Sequence, residues 1–183
     1  TKSVTAMDMK SAEFAEVEFC ILPHIILITP TEGTVGEIVT IAGNGFGASS
    51  LIQIDFGTSY TITTVTSAQQ GSFTITFTID TQPWGITTIK AIDIGIPDVE
   101  DTGTFTILSN IHFVTPTQGV VGTRVTVTGT GFGITESICI HFGTTLSITI
   151  PTTETTESGS FSTYFTVDTQ RYGSITIMAI GQE

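Results

Sequence analysis

The chain has 183 residues, with only 5 Lys and Arg against 17 Asp and Glu, and its net charge is −12. Because nucleic acids and anionic membrane surfaces are bound by clustered basic side chains, this balance argues against both as partners. Thr alone accounts for 38 residues, Leu, Ala, Lys and Glu are sparse, and no apolar run reaches the length of a membrane span. The composition predicts an all-β protein.

The N-terminal segment, residues 1–22, repeats the end of a unit that occurs later in the chain. The stretch SVTAMDM at residues 3–9 resembles TIKAIDI at residues 88–94, and EFCILPHI at 18–25 lies 86 residues before TFTILSNI at 104–111. Residues 1–22 are therefore predicted to form the last two strands of a unit whose other strands do not precede them.

The next segment, residues 23–109, reads as short strands separated by Gly-centred turns. Strands are predicted at residues 25–28, 37–42, 51–56, 61–66, 72–79, 86–92 and 102–108. In 72–79 the Phe and Ile side chains alternate with Thr, a period of two that places the apolar set in a core and Thr in solvent. This spacing is typical of a β-sandwich.

The remaining segment, residues 110–183, repeats the one before it at an offset of 86. TPTEGTVGEIVTIAGNGFG begins at Thr29 and TPTQGVVGTRVTVTGTGFG at Thr115. The match continues through I-x-F-G and, after a two-residue insertion, through GSF and DTQ. We call residues 23–109 the first repeat and residues 110–183 the second repeat, and a period near 90 residues predicts one domain for each.

The motifs shared by the repeats carry a family resemblance. The pattern P-x-x-G-x-x-G-x-x-V-T-I-x-G-x-G-F, then I-x-F-G, then G-S-F, resembles IPT/TIG domains, an immunoglobulin-like family. The resemblance implies two tandem immunoglobulin-like β-sandwiches, and it implies no catalytic residues. Function has to be argued from other features.

The second repeat lacks the counterpart of the last strand of the first, whereas residues 1–22 supply a surplus copy of it. We therefore expect strand addition between subunits, which resembles the donor-strand assembly of pilins. The predicted donor residues are Ala15, Val17, Phe19 and Ile21. The predicted acceptor groove comprises Ile138, Ile140, Phe142, Ile175, Ile177 and Ala179. The expected product is a head-to-tail homopolymer, an extracellular filament or surface layer.

Two other readings remain open. The chain could be an adhesion or binding segment of a larger tandem-repeat cell-surface protein, with residues 1–22 belonging to an upstream repeat. It could also be an accessory module of an enzyme. The first is the main alternative to the polymer, and a free monomer in solution would favour it.

No pattern in the sequence predicts catalysis, a metal or a cofactor. The three His residues have no partners at catalytic spacing, and no ligand motif for Ca²⁺ or zinc is present. The acidic residues between 93 and 101 are expected to form a solvated loop. The Thr-rich run at residues 152–160 is a candidate site of O-linked glycan.

Two pairs of residues have further expectations. Trp84 and Tyr172 follow DTQ in the two repeats, and this recurrence favours a packing role over stacking against a sugar. Cys20 and Cys139 are expected to be free thiols on outward positions.

Overall fold

The computed structural model describes residues 2–7, 14–148 and 153–182, and secondary structure in these ranges is entirely β. The strands are β1 Lys2–Met7, β2 Phe14–Phe19, β3 His24–Thr29, β4 Glu32–Gly33, β5 Ile38–Asn44, β6 Leu51–Phe56, β7 Ser59–Thr66, β8 Phe73–Thr78, β9 Gly85–Asp93, β10 Glu100–Ile107, β11 Asn110–Thr115, β12 Arg124–Thr130, β13 Ser137–Phe142, β14 Phe161–Thr166 and β15 Ile177–Gln182. The all-β prediction is confirmed. No described helix is long and apolar enough to cross a membrane.

The first repeat consists of two sheets that share one core. One sheet has the order β3-β5-β8, and the other has the order β4-β10-β9-β6-β7. Alternate residues of β5 and β6 enter the core, where Val39, Ile41, Ile52 and Ile54 are fully buried. Burying side chains of this size stabilises the fold by roughly 1.5–3 kcal/mol each.

The second repeat has the same arrangement with fewer strands. The sheets β11-β12-β14 and β13-β15 enclose a separate core cluster. An edge-to-face contact at 5.2 Å between ring centroids recurs in the two cores, between Phe46 and Phe73 and between Phe132 and Phe161. The two repeats therefore pack their aromatic side chains in the same way.

The strands predicted for the first repeat agree with the structure to within two residues at each end. The alternation in β8 is also confirmed, because Phe73 and Phe77 are buried while the intervening Thr side chains are exposed. β4 has no counterpart among the predictions, since two residues pairing in parallel with β10 leave no periodic pattern. The division into domains at residues 22/23 and 109/110 remains a prediction.

Candidate functional site

The hairpin of β1 and β2 has the same register as the hairpin of β9 and β10. Ser3 pairs with Glu18 in the first, and Thr88 pairs with Thr104 in the second. All six pairs of the N-terminal hairpin follow this correspondence. Residues 2–19 thus have the pairing of the last two strands of a repeat.

Three of the four predicted donor residues lie on one face of this hairpin, and the fourth follows it. Ala15, Val17 and Phe19 are in β2, Ile21 follows it, and all four are exposed. Phe19 is 62% exposed, whereas Phe105, at the matching position of β10, is 1% exposed. The hairpin therefore presents to solvent the apolar face that β10 buries in the first repeat.

The six predicted acceptor residues belong to the core cluster of the second repeat. Ile138, Ile140 and Phe142 are buried in β13. The other three, Ile175, Ile177 and Ala179, are partly buried and pack against the same cluster. The structure brings all six together, while their role as a groove remains a prediction.

β15 has less cover than its counterpart in the first repeat. Ile177 and Ala179 are partly exposed, but Ile89 and Ala91 at the matching positions of β9 are fully buried. In the first repeat β10 pairs along β9, whereas among the described residues β15 pairs with β13 alone. An added strand beside β15 would therefore cover apolar side chains and pair its backbone.

The two repeats meet through backbone groups. The Trp84 amide donates a hydrogen bond to Phe132 O at 2.9 Å. Leu108 O lies against Gly131, where a side chain would collide with it. A Cβ on Gly159 would likewise come within 2.8 Å of Pro83 Cα. Glycine is required at both positions because φ is +69° and the neighbouring repeat is close.

Two open clefts flank this junction. The larger, about 770 Å³, is lined by Pro83 and Trp84 from the first repeat and by residues 133–137 and Gln182 from the second. Trp84 is 63% exposed and Tyr172 is fully exposed. The packing role predicted for these two aromatic residues is therefore wrong, because their rings lie outside both cores.

A glutamine side chain fixes the DTQ loop in each repeat, and it is buried in the first repeat and partly exposed in the second. Gln82 Nε2 donates to Asp80 Oδ1 at 3.1 Å, and its Oε1 accepts from Thr58 Oγ1 at 3.1 Å. Gln170 makes the same bonds in the second repeat, with Asp168 at 2.9 Å and Thr144 at 3.1 Å. This explains why the DTQ motif recurs.

Asp168 also shows how this network acts on charge. Hydrogen bonds from Thr145 and Gln170 lower the pKa of its carboxyl. The carboxylate form is therefore the one that the loop stabilises.

The acidic residues between 93 and 101 do not form one solvated loop, as the sequence predicted. Asp93 is buried and accepts hydrogen bonds from the amides of Gly47 (2.8 Å) and Gly95 (2.9 Å). Glu100 pairs with Lys90 at 2.7 Å. These carboxylates satisfy backbone and side-chain donors, and the described residues include no cluster of acidic, His or Cys side chains placed to hold a metal.

Asp101 joins the two sheets of the first repeat. Its Oδ2 accepts from the Ile25 amide at 2.7 Å and lies 3.1 Å from His24 Nδ1. Burial raises the pKa of Asp101, but hydrogen bonds from the Ile25 and Thr102 amides and from His24 outweigh it and leave the pKa lowered. His24 therefore has a carboxylate partner on β10, in the other sheet of the first repeat.

The two cysteines are free, as predicted, but differ in environment. Cys20 is exposed and Cys139 is buried. Cys139 alternates with Ile138 and Ile140 and lies outside the core cluster that they join, but it is buried rather than exposed to solvent.

Comparison with protein families gives a match to the IPT/TIG domain over residues 23–107. This span covers all strands from β3 to β10. The first repeat is an IPT/TIG domain. The second repeat shares the GxGF turn, the hydrogen bonds of the DTQ motif and the aromatic pairs of the first. It is therefore an IPT/TIG-like, immunoglobulin-like unit.

Two relatives of this chain are human and mouse fibrocystin-L. Fibrocystin-L of Homo sapiens is 32% identical over 142 residues, which cover 67% of this chain. The protein of Mus musculus is 32% identical over 139 residues, which cover 65% of this chain. The chain spans 3% of the length of either relative.

Among solved structures, the alignment with the D0-D1 domain of intimin covers 86% of this chain and 91% of that structure. The identity is 13% and the TM-score is 0.35. The alignment with the ICAM-5 D1-D4 ectodomain fragment covers 98% of this chain and 59% of that structure, with 13% identity and a TM-score of 0.35. At these TM-scores the likeness adds nothing to the assignment.

Sequence reasoning identified the recurring strands but missed the contacts between repeats. The Trp84–Phe132 bond joins backbone atoms, so no side-chain pattern marks it. The repeated motifs could have indicated the junction, because the second GxGF contains Gly131 and the first DTQ directly precedes Pro83 and Trp84.

Proposed function

We propose that this chain is a non-catalytic segment of a tandem IPT/TIG protein of the cell surface, where it supplies binding surface for adhesion. The observation that carries the proposal is the hairpin of β1 and β2. It has the register of β9 and β10, and β15 matches β9, so the first strand of this hairpin occurs three times along the chain and the complete hairpin twice. The IPT/TIG match and the relatives, of which this chain spans 3%, support a place in a long array.

The proposed binding surface lies at the junction between the repeats. The clefts beside Trp84 combine an exposed aromatic ring with the Glu136 carboxylate and hydroxyl groups. Aromatic residues at exposed positions between polar groups are common in binding sites for proteins and glycans. A net charge of −12 favours partners without strong negative charge.

The Thr-rich loop adds a candidate modification site. Thr156 is exposed, whereas Thr155 is buried and its hydroxyl donates to Gly133 O at 2.6 Å. Residues 149–152 lie outside the described ranges. We therefore propose Thr156 rather than Thr155 as a position for O-linked glycan.

Two experiments test this function. Surface biotinylation of intact cells that express the natural protein should label peptides from residues 14–148, while a cytosolic control stays unlabelled. Binding of the full chain to arrays of surface glycans and ectodomains should fall for Trp84→Ala and persist for Tyr60→Ala, another exposed aromatic residue. Labelling that requires permeabilised cells would contradict the proposal.

The second candidate function is the head-to-tail homopolymer. The observation that favours it is that β2 exposes apolar side chains while β15 leaves part of its apolar side chains uncovered. β2 matches β10 in sequence, and β10 is the strand that covers β9, the counterpart of β15. Burial of Phe19 and Val17 would contribute roughly 1.5–3 kcal/mol each before the cost of ordering. The subunits would join through a heterologous contact, which propagates unless it closes as a ring.

A matched pair of charge changes tests the polymer. Phe19→Lys places a charge on the face that would dock, whereas Glu18→Lys changes charge on the opposite face. Light scattering after size exclusion should show that Phe19→Lys abolishes association and Glu18→Lys retains it. A monodisperse monomer for the unsubstituted chain at every concentration would exclude the polymer.

A further inference from the structure

The contact between the repeats consists of a tip on one and a face on the other. The junction tip is Pro83 and Trp84, directly after the DTQ motif. The junction face is the turn at Gly131 and Phe132 together with Gly159. The Trp84 amide donates to Phe132 O, and Pro83 lies over Gly159. Because the contact uses backbone atoms and glycine, another repeat with the same backbone can form it.

The first repeat has the same face. Phe46 N donates to Gly71 O at 3.1 Å, as Phe132 N donates to Gly159 O at 2.9 Å. Gly45 and Gly71 have φ of +77° and +74°, close to the values in the second repeat. Yet Phe46 O accepts no hydrogen bond from any described donor, whereas its counterpart accepts from Trp84.

The chain entering the first repeat also follows the junction. Leu22 O lies against Gly45 in the way that Leu108 O lies against Gly131. A side chain at either glycine would collide with that carbonyl. β2 therefore leads into the face of the first repeat as β10 leads into the face of the second.

The second repeat, in turn, has the same tip. Gln170 holds the loop through Thr144 and Asp168, and Arg171 and Tyr172 follow it. Gly173 has φ of +141°, and Gly85 after the first tip has φ of +113°. The Tyr172 side chain is fully exposed, and its amide donates to no acceptor within the described ranges.

We propose that the Tyr172 amide of one copy of this chain binds Phe46 O of a second copy and so repeats the junction between chains. The argument is continuity with the contact that the chain already makes between Trp84 and Phe132. The inference rests on the homopolymer, the second candidate function. In that arrangement β2 of the second copy reaches the edge of β15 that no described strand pairs with, since β2 leads into the face that Tyr172 binds.

The amide can be removed without removing the aromatic position. Tyr172→Pro has no N–H, whereas Tyr172→Ala retains it, so the two variants separate the hydrogen bond from the ring. Sedimentation velocity over a range of concentrations measures association of the full chain. We expect Tyr172→Pro to weaken it about fivefold to tenfold and Tyr172→Ala to change it less than about twofold. Equal effects of the two variants would overturn the contact.

Cross-linking locates the contact even if Tyr172→Pro perturbs the loop. A photoreactive phenylalanine at position 172, in a mixture of ¹⁵N-labelled and unlabelled chains, should give mixed-isotope cross-links to residues 44–47 or 70–72. Cross-links only within one chain, or between chains at other positions, would overturn the inference.

The outcomes also separate this contact from the polymer itself. If Phe19→Lys abolishes association while Tyr172→Pro leaves it unchanged, the strand docks and the proposed tip contact is wrong. If cross-links map to residues 44–47 while Phe19→Lys has no effect, the tip contact stands and strand docking is wrong. A chain that stays monomeric without cross-links contradicts both.

Discussion

The Glu136 carboxylate lies directly over Gly181, where a Cβ would collide with it. Gly181 holds the position in β15 that Asp93 holds in β9, since Ile138 pairs with the former and Ile52 with the latter. Glu136 holds the position of Ser50, which donates a hydrogen bond to Asp93. In the second repeat, the Glu136 carboxylate thus occupies the space that the Asp93 carboxylate occupies in the first. Asp93 reaches this space from β9, whereas Glu136 reaches it from the residue before β13.

This exchange predicts a coupling between positions 136 and 181. Gly181→Asp alone should destabilise the second repeat by about 1–2 kcal/mol, because two carboxylates then share one space. Glu136→Ser combined with Gly181→Asp rebuilds the pair of the first repeat and should recover about 1 kcal/mol of that loss. Hydrogen exchange of the β13 and β15 amides measures the change, and strictly additive effects would contradict the coupling.

The glutamine clamps predict unequal costs for the same substitution. Gln82 is fully buried, so Gln82→Ala leaves the Thr58 and Asp80 groups without their partner and should cost about 2–3 kcal/mol. Gln170 is partly exposed, water can replace its amide, and Gln170→Ala should cost about 1 kcal/mol. Chemical unfolding of the full chain, followed for each repeat by hydrogen exchange, compares the two. Equal costs would show that burial does not set the difference.

The fold was largely predictable from the sequence because alternation is a local signal. Phe73 and Phe77 alternate with Thr, and their burial follows from a period of two. The placement of Asp93 and Asp101 was not predictable in this way, because the groups they bind, at Gly47 and Ile25, are backbone amides far away in sequence. The exposure of Trp84 was not predictable either, because it depends on the position of the second repeat relative to the first.

Asp101 predicts a specific dependence of stability on pH. Its pKa is lowered in the folded chain, so its contribution is present above the ordinary value near 3.8 and is lost as pH falls through the folded value. The difference in unfolding free energy between the unsubstituted chain and Asp101→Asn should therefore be constant at neutral pH and shrink below about pH 4. Urea unfolding between pH 7 and pH 2.5 measures it.

The control for this titration is Asp98→Asn. Asp98 is exposed with φ of +62°, a conformation that Asn tolerates well, so this change should have little effect at any pH. A loss of stability for Asp101→Asn that stays constant down to pH 2.5 would show that the hydrogen bonds do not depend on the charge of the carboxyl.

The cysteines predict two rates of thiol modification. Cys20 is exposed and should react with a thiol reagent such as DTNB at the rate of a free peptide, while buried Cys139 should react only as the second repeat opens. Denaturant below the unfolding midpoint should accelerate the slow phase alone. Removal of the fast phase by Cys20→Ser assigns it, and two fast phases would contradict the burial of Cys139.

Phe19 and Phe105 occupy the same position in two copies of one strand, and the same substitution should act on different properties. Phe105→Ala empties a fully buried site and should lower the unfolding free energy of the first repeat by about 3–5 kcal/mol. Phe19→Ala removes an exposed ring and should change that free energy by less than about 0.5 kcal/mol. If β2 docks beside β15, the Phe19 ring enters a core as the Phe105 ring does. Phe19→Ala should then weaken association, measured by sedimentation velocity. A monomer destabilised by Phe19→Ala would show that the hairpin packs on its own chain, and unchanged association would remove Phe19 from the interface.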